Sequence, residues 1–245
     1  MNIYLRLTQE FNDGRLRAIL SGGQAVVLHR LALMSKDGDW ILLEDDETMG
    51  HILSVLESFG ATYRFGAPLD IRWMSGGWSA HFEFTYQGIR VRTDFITRPP
   101  RLTADRIERL WRDKAGQPAP FLDVSDLIET KKTNREKDYA VIGELARLFR
   151  EYPQEVAEIK RQRPILASIP DGLHALEAAL DAERRAMIHA NEDRLSPYFA
   201  ASEAWSRIWP DISGKIEGRP LSFAHAAVVD AALGILPFAV QGELT

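Results

Sequence analysis

Asp37 and Asp39 are separated by one residue, at the start of a segment whose apolar weight lies at Trp40 to Leu43 and which is typical of a strand. Side chains two positions apart on an extended chain point to the same face, so the two carboxylates are expected side by side. Gly38 between them leaves the opposite face uncrowded. Paired carboxylates repel each other and usually need a cation, and Mg²⁺ prefers oxygen ligands. The pair indicates a magnesium site, although the same spacing also fits a charged surface turn.

A third carboxylate, Asp94, lies in a segment in which apolar and polar residues alternate. Such alternation predicts a strand with one buried face, and Asp94 is expected on its polar face near a strand end. Three carboxylates from two strands suit a site in which two metal ions stabilise the attacking and leaving oxygens of a phosphoryl transfer. Arg90 and Arg92 share the face of Asp94, where they either bind phosphate or neutralise the carboxylates.

The turn Ser21-Gly22-Gly23 precedes a segment whose periodicity predicts a helix. Glycines at this point let the backbone approach a phosphate closely, and a helix N-terminus offers free N–H groups with a partial positive charge. A pair of glycines also forms an ordinary tight turn. The order of the glycines, the paired aspartates and Asp94 along the chain favours a nucleotide-binding role.

In that order, the segments SGGxAVVLH, SKDGD and VRTDF resemble the nucleotidyltransferase superfamily, whose fold is shared with DNA polymerase β-like enzymes. The closer resemblance is to the bacterial branch that includes the AbiEii-type toxins. The segment from Leu127 to Asp138 is similar to the L-I-x-x-K-x-x-x-R-x-K-D motif that begins the helical region after the catalytic domain in this group. Together these segments span roughly residues 16–148, and their combination is more specific than any one of them.

The resemblance implies a Mg²⁺-dependent nucleotidyltransferase that moves a nucleoside monophosphate from an NTP to an acceptor hydroxyl. It implies catalytic and metal-binding roles for Asp37, Asp39 and Asp94, with two metal ions. Nucleotide-binding roles are implied for a further set: Ser21, Gly22, Gly23, Lys131, Arg135 and Lys137. A tRNA end, a protein hydroxyl and a small molecule all remain candidate acceptors. The alternative is a catalytically silent protein of this fold that binds a protein partner, such as a toxin–antitoxin-like component.

The segment from Leu127 to Asp138 contains three cations, Lys131, Arg135 and Lys137, at the start of a predicted helix. The helix dipole disfavours positive charge at that end. A local rule broken in this way favours a function for them over a merely solvated surface. Surface pairs with Asp138 are the alternative interpretation.

The pattern as a whole predicts an α+β protein. A nucleotidyltransferase-like domain with a mixed sheet and flanking helices is expected over residues 1–115, and a helical domain over 116–245, divided at the breaker Gly116 to Pro120. Period-two alternation at 69–73, 82–86 and 89–95 predicts two or three antiparallel strands. Helices are predicted at 46–59, with Asp46 as the N-cap, and in the second domain from Ser125 onwards, at 153–163, 171–191, 197–209 and 221–235.

The composition narrows the classes of protein. The 245 residues carry a formal charge of −5 with a pI near 5.7, which disfavours a long nucleic-acid footprint. No cysteine is present, so disulfides, cysteine-bound zinc and thiol nucleophiles are excluded. The first residues lack the pattern of a signal peptide, and no apolar run reaches the roughly 20 residues of a membrane span. A cytoplasmic protein without membrane contact is expected.

Overall fold

A computed structural model of the chain has a five-stranded mixed sheet with helices packed on it. It describes residues 2–30, 32, 35–99, 101–131 and 192–238. The α+β class is confirmed in this general sense. Within these ranges, none of the helices combines the length and the apolar character that crossing a bilayer requires.

The strands and helices are numbered in chain order. The strands are β1 (Ala18–Ser21), β2 (Asp37–Leu42), β3 (Thr62–Gly66), β4 (Ala80–Tyr86) and β5 (Ile89–Ile96). The helices of the described residues are α1 (Ile3–Phe11), α2 (Gly22–Leu28), α3 (Asp46–Ser58), α4 (Ile71–Met74), α5 (Ala104–Lys114), α6 (Val124–Lys131), α7 (Glu192–Ile216) and α8 (Leu221–Ala232).

The sheet has the strand order β1-β2-β5-β4-β3. Neighbouring strands run antiparallel except β2 and β5, which are parallel. The parallel pairing joins strands that are distant in sequence, because α3, β3, α4 and β4 lie between them in the chain. It therefore places two separate sequence motifs side by side in the middle of the sheet.

Each face of the sheet is covered by its own hydrophobic core. The larger core includes Trp40 of β2 and Phe95 of β5, with residues of α1, α3, α7 and α8. The smaller core includes Ile41, the residue after Trp40, with residues of α2, α5 and α6. Successive side chains of a strand point to opposite faces, so these two cores lie on opposite sides of β2. The aspartates share the face of Ile41.

The structure has no strand at one of the three segments that alternate in the sequence. The alternating segment 69–73 is not a strand, since Ile71–Met74 is a short helix and the strand lies earlier, at Thr62–Gly66. Asp70 explains the difference, because its side chain accepts a hydrogen bond of 3.0 Å from the backbone N–H of Arg72 and so caps that helix.

The N-cap of α3 is Asp45 rather than Asp46, and its Oδ1 accepts a hydrogen bond of 2.7 Å from the backbone N–H of Thr48. In the C-terminal part, the helix predicted at 197–209 extends to Ile216, because Pro210 does not end it. The helix predicted at 221–235 is observed as Leu221–Ala232.

Residues after the breaker at 116–120 continue to pack on the sheet. The backbone N–H of Leu122 donates to the carbonyl of Leu20 in β1 at 2.9 Å, and α6 packs against α2. The division into domains 1–115 and 116–245 stays a prediction. The helices predicted at 153–163 and 171–191 lie outside the described residues.

Candidate functional site

The three predicted aspartates meet on one face of the sheet. The parallel register of β2 and β5 pairs Asp39 with Asp94 and Asp37 with Arg92. Partners in register point to the same face, so three carboxylates and one guanidinium form a polar patch. Asp94 lies inside β5, with Phe95 and Ile96 after it, rather than at its end as predicted.

The start of α2 lies directly against Asp39. Gly22 is the first residue of α2, has a φ of 56° and comes so close to Asp39 that an added Cβ would lie 1.9 Å from the carboxylate Oδ2. An added Cβ on Gly23 would lie 2.2 Å from Ser35 Oγ. Both glycines are therefore required by close approach, and Gly22 also by a backbone conformation that other residues rarely adopt.

Charge and burial act together on Asp39. The carboxylate is partly accessible to solvent but closely surrounded by protein, and burial raises its pKa. The negative charges of Asp94 and Asp37 raise the pKa further, whereas the cation of Lys131 and a hydrogen bond from the backbone N–H of Gly23 lower it. The net pKa lies above the ordinary value. Such a carboxylate is stabilised by any cation brought next to it.

Lys131 stands at the end of α6 and is buried with only 8% of its surface exposed. Its positive charge lowers the pKa of Asp39, so Lys131 lies close enough to act electrostatically on that carboxylate. The helix α6 is held there by apolar contacts of Leu127 and Ile128 with the smaller core. Arg135 and Lys137 lie outside the described residues.

Asp94 has two strong partners that the sequence analysis did not identify. Its Oδ1 accepts hydrogen bonds from Arg64 Nη2 at 2.7 Å and, with the ring donating, from His81 Nδ1 at 2.8 Å. Burial raises the pKa of Asp94, but the hydrogen bond and charge of His81 and the ion pair with Arg64 outweigh it, so the pKa lies below the ordinary value. Both bonds end on Oδ1, and Oδ2 takes part in neither.

His81 lies opposite Asp94 in the antiparallel register of β4 and β5. The alternation in β4 predicts that His81 is on the polar face of that strand. The direction of the Arg64 side chain is not predicted by alternation, because the pairing of β3 with β4 is irregular between Tyr63 and Phe65. A bulge of this kind redirects a side chain in a way that strict alternation does not predict.

Asp37 lies at the start of β2 and has a side chain that is 42% exposed. Its Oδ1 is buried and receives no hydrogen bond, and Arg92 Nη1 lies 3.5 Å from it. On the opposite face, an added Cβ on Gly38 would lie 2.5 Å from Trp40 and from Tyr4. Trp40 and Tyr4 therefore fill that face and leave no room for a side chain at residue 38.

Ser21 ends β1 and is buried, with its Oγ donating to the backbone carbonyl of Asp39 at 3.2 Å. Its hydroxyl therefore stabilises the pairing of β1 and β2 in this structure. Among the predicted residues that the structure describes, Asp37, Asp39, Asp94, Gly22, Gly23 and Lys131 are brought to one place.

Within the described ranges, no group of three or more carboxylate or imidazole side chains is arranged to hold a metal ion by itself. The arrangement instead offers two adjacent carboxylates, Asp37 and Asp39, with Asp94 engaged by Arg64 and His81. Mg²⁺ is commonly bound by one or two carboxylates together with substrate phosphates. Two carboxylates beside a helix N-terminus and a lysine fit that mode of binding.

No model of a known protein family matches the chain, and no curated protein matches it in sequence.

Proposed function

We propose that the protein is a Mg²⁺-dependent nucleotidyltransferase with a nucleotidyltransferase-like fold. The observation that carries the proposal is the parallel register of β2 and β5, which sets Asp94 beside Asp39 while Gly22 packs against the same carboxylate. Four separate segments that resemble this superfamily thus converge around one residue. The packing of the hydrophobic core does not require polar residues from distant parts of the chain to meet. Their meeting around Asp39 therefore favours a functional site.

Asp37 and Asp39 would hold Mg²⁺, and two observations fit this role. The buried Oδ1 of Asp37 receives no hydrogen bond, and the pKa of Asp39 is raised by burial and by its acidic neighbours. A cation would relieve both. When bound with a nucleotide, Mg²⁺ would offset the negative charge of the phosphates and of the transition state.

The remaining groups of the site would bind and orient the triphosphate. The N–H groups at the start of α2 and the ammonium of Lys131 provide positive charge on the side of Asp39. Gly22 and Gly23 let Asp39 and Ser35 lie closely against the start of α2. Preorganised charge of this type is usually the main contribution of a protein to phosphoryl transfer.

In the proposed reaction, the oxygen of an acceptor hydroxyl forms a bond to the α-phosphorus of the NTP. The bond from that phosphorus to the β-phosphate oxygen breaks, and pyrophosphate leaves. The hydroxyl proton passes to a carboxylate or to water. Arg64 and His81 outweigh the effect of burial and lower the pKa of Asp94, which favours the ionised form, and an ionised carboxylate is able to accept a hydrogen bond from the acceptor.

The test is calorimetric titration of the full chain with each NTP in the presence of Mg²⁺ and of EDTA. We expect Mg²⁺-dependent binding that is lost in Asp37→Asn with Asp39→Asn. The matched control is Asp105→Asn with Asp113→Asn, which removes two exposed carboxylates from α5 and should bind as the wild type does. Equal NTP affinity in the two double variants contradicts the proposal.

Transfer itself is tested by incubation with each α-labelled NTP and Mg²⁺, followed by a search for label on RNA, protein or small molecules. Label in a covalent product, absent in the Asp37 and Asp39 variant, is the expected result. The identity of the labelled fraction then decides among the three acceptor classes.

A catalytically silent protein of the same fold is the second candidate, and the pairing of Asp94 favours it. A carboxylate held by Arg64 at 2.7 Å and by His81 at 2.8 Å is already neutralised without a metal ion. This candidate predicts no NTP binding at millimolar concentration, in the wild type or in Arg64→Gln. Mg²⁺-dependent NTP binding by either form excludes it.

A further inference from the structure

A cavity of about 560 Å³ opens beside Asp37, at the end of the sheet where β5 extends beyond β2. Its walls come from the start of α1, from the residues before β2 and from the turn between β4 and β5. The lining residues are Asn2, Ile3, Tyr4, Ser35, Lys36, Tyr86, Gln87, Ile89, Arg90, Val91 and Arg92. A volume of this size suits a small organic molecule.

The lining combines positive charge with apolar surface. Lys36, Arg90 and Arg92 supply three cations, and no carboxylate is among the described lining residues. Ile3 and Val91 supply apolar surface, and two tyrosines add aromatic rings. Arg90 is held by a hydrogen bond of 3.0 Å from its Nε to Glu83, outside the lining. The chemistry of the walls fits a ligand with an anionic group next to an apolar or planar body.

Arg92 connects this cavity to the aspartates. It lines the cavity and its Nη1 lies 3.5 Å from Asp37 Oδ1. The features proposed to hold the triphosphate surround Asp39 instead, because Gly22 follows β1 and β1 pairs with β2 on the side opposite β5. A molecule bound next to Arg92 would thus lie on the β5 side of Asp37, away from Gly22.

We propose that this cavity is the acceptor site and that the acceptor is a small anionic organic molecule, bearing a phosphate or carboxylate group. The proposal rests on the nucleotidyltransferase function proposed above and narrows its acceptor. A polycationic acceptor is disfavoured because Lys36, Arg90 and Arg92 would repel it. The cavity also favours a small molecule over a polymer, in keeping with the net charge of −5.

The test uses two probe ligands, phenyl phosphate and benzyltrimethylammonium. Both contain a phenyl ring, but the first is an anion and the second is a cation. Ligand-observed NMR titrations compare the wild type with Lys36→Gln plus Arg90→Gln, two exposed cations of the lining. The matched control is Arg112→Gln plus Lys215→Gln, which removes two exposed cations elsewhere. We expect the affinity for phenyl phosphate to fall by about tenfold or more in the cavity variant and to stay unchanged in the control.

Three results overturn the acceptor site. One is equal phenyl phosphate affinity in all three proteins, and another is tighter binding of the ammonium probe. The third is a single-stranded RNA oligonucleotide that binds more tightly than phenyl phosphate with the same dependence on Lys36 and Arg90, because the acceptor is then a polymer.

The two proposals fail in different ways. Asp37→Asn with Asp39→Asn should lose NTP binding and keep phenyl phosphate binding, because the cavity cations remain. One outcome is that no form of the protein binds NTP, while the binding of phenyl phosphate still depends on Lys36 and Arg90. In that case the proposed nucleotidyltransferase function is wrong, and so is the proposed role of the cavity as an acceptor site. If NTP binding behaves as expected and transfer of label is unchanged in the cavity variant, the acceptor site alone is wrong.

Discussion

Trp40 and Asp39 are neighbours in β2, and their side chains meet opposite environments. Trp40 is fully buried, stacks on Phe95 with ring centroids 5.5 Å apart and donates from Nε1 to Thr8 Oγ1 at 2.9 Å. Asp39, on the other face, shares its surroundings with Asp37 and Asp94, and its pKa is raised by burial and by their charges. Trp40 is packed with its hydrogen bond satisfied, whereas Asp39 is held next to like charges.

This difference separates stability from function along a single strand. Residues that serve stability are expected to make favourable contacts in the folded protein, as Trp40 does. A cluster of carboxylates that raises the pKa of one of its members works against stability, and such sites are where function is expected. Substitutions of Trp40 and of Asp39 should therefore change the free energy of unfolding in opposite directions.

Trp40→Ala should have the largest effect. Removing a buried tryptophan leaves a cavity against Phe95 and should lower the free energy of unfolding by about 3–5 kcal/mol, measured by urea denaturation. Phe199→Ala is the control, because Phe199 is 56% exposed. This substitution should change the free energy of unfolding by less than about 1 kcal/mol. Equal effects of the two substitutions would contradict the assignment of Trp40 to the core.

Gly22→Ala should come next and should affect both stability and nucleotide binding. The new Cβ would meet Asp39 Oδ2 at 1.9 Å and the φ of 56° is unfavourable for alanine, so a loss of about 1–3 kcal/mol is expected. Gly50→Ala is the control, since Gly50 lies in α3 with open space around its Cβ position. That substitution should stabilise the helix by roughly 0.5–1 kcal/mol. A neutral Gly22→Ala would show that α2 does not press on Asp39.

Asp39→Asn should raise stability while it abolishes Mg²⁺-dependent NTP binding. The substitution keeps the shape of the side chain and removes one of three clustered charges, and we expect a gain of roughly 0.5–2 kcal/mol at pH 7 by urea denaturation. Asp94→Asn provides the contrast, since it takes a charged acceptor from Arg64 and His81 and should destabilise. A loss of stability in Asp39→Asn would mean that its interactions with Lys131 and Gly23 outweigh the repulsion.

Acidification should give the smallest effect, and its sign differs between His225 and Asp39. On the packed face, His225 Nδ1 lies 2.8 Å from the hydroxyl of Tyr63, and burial lowers the pKa of His225, with Asp70 raising it and Arg72 lowering it. A histidine whose pKa is lowered in the folded protein makes its full contribution to stability at pH values above its ordinary pKa of 6.5. This contribution is lost as the pH falls towards the pKa of the folded state.

Asp39 behaves in the opposite way, because its raised pKa makes the ionised form unfavourable and protonation relieves it. Urea denaturation between pH 7.5 and 5 should show a shallower loss of stability in His225→Gln than in the wild type. The change in slope is at most about 1.4 kcal/mol per pH unit for one titrating group. An identical slope in both proteins would show that His225 is not the group responsible.

The candidate site was largely predictable because its residues lie in regular strands. The spacing of Asp37 and Asp39 fixes a shared face, and the alternation around Asp94 places it on a polar face. The segment 69–73 shows the limit of the same rule, since a capping aspartate at 70 turned an alternating pattern into a helix. Local hydrogen bonds of this kind compete with strand pairing, and the pattern of apolar and polar residues does not reveal them.

The sequence by itself determined which face of β2, β4 and β5 is polar, and it identified the two glycines, Gly22 and Gly23, at the start of α2. It did so because side-chain direction in a strand alternates with every residue. Only the tertiary structure decided that β2 and β5 pair in parallel with Asp39 beside Asp94, because register depends on the packing of all five strands. It also decided that Arg64 and His81 engage Asp94, since both contacts bridge strands whose pairing is set by distant parts of the chain.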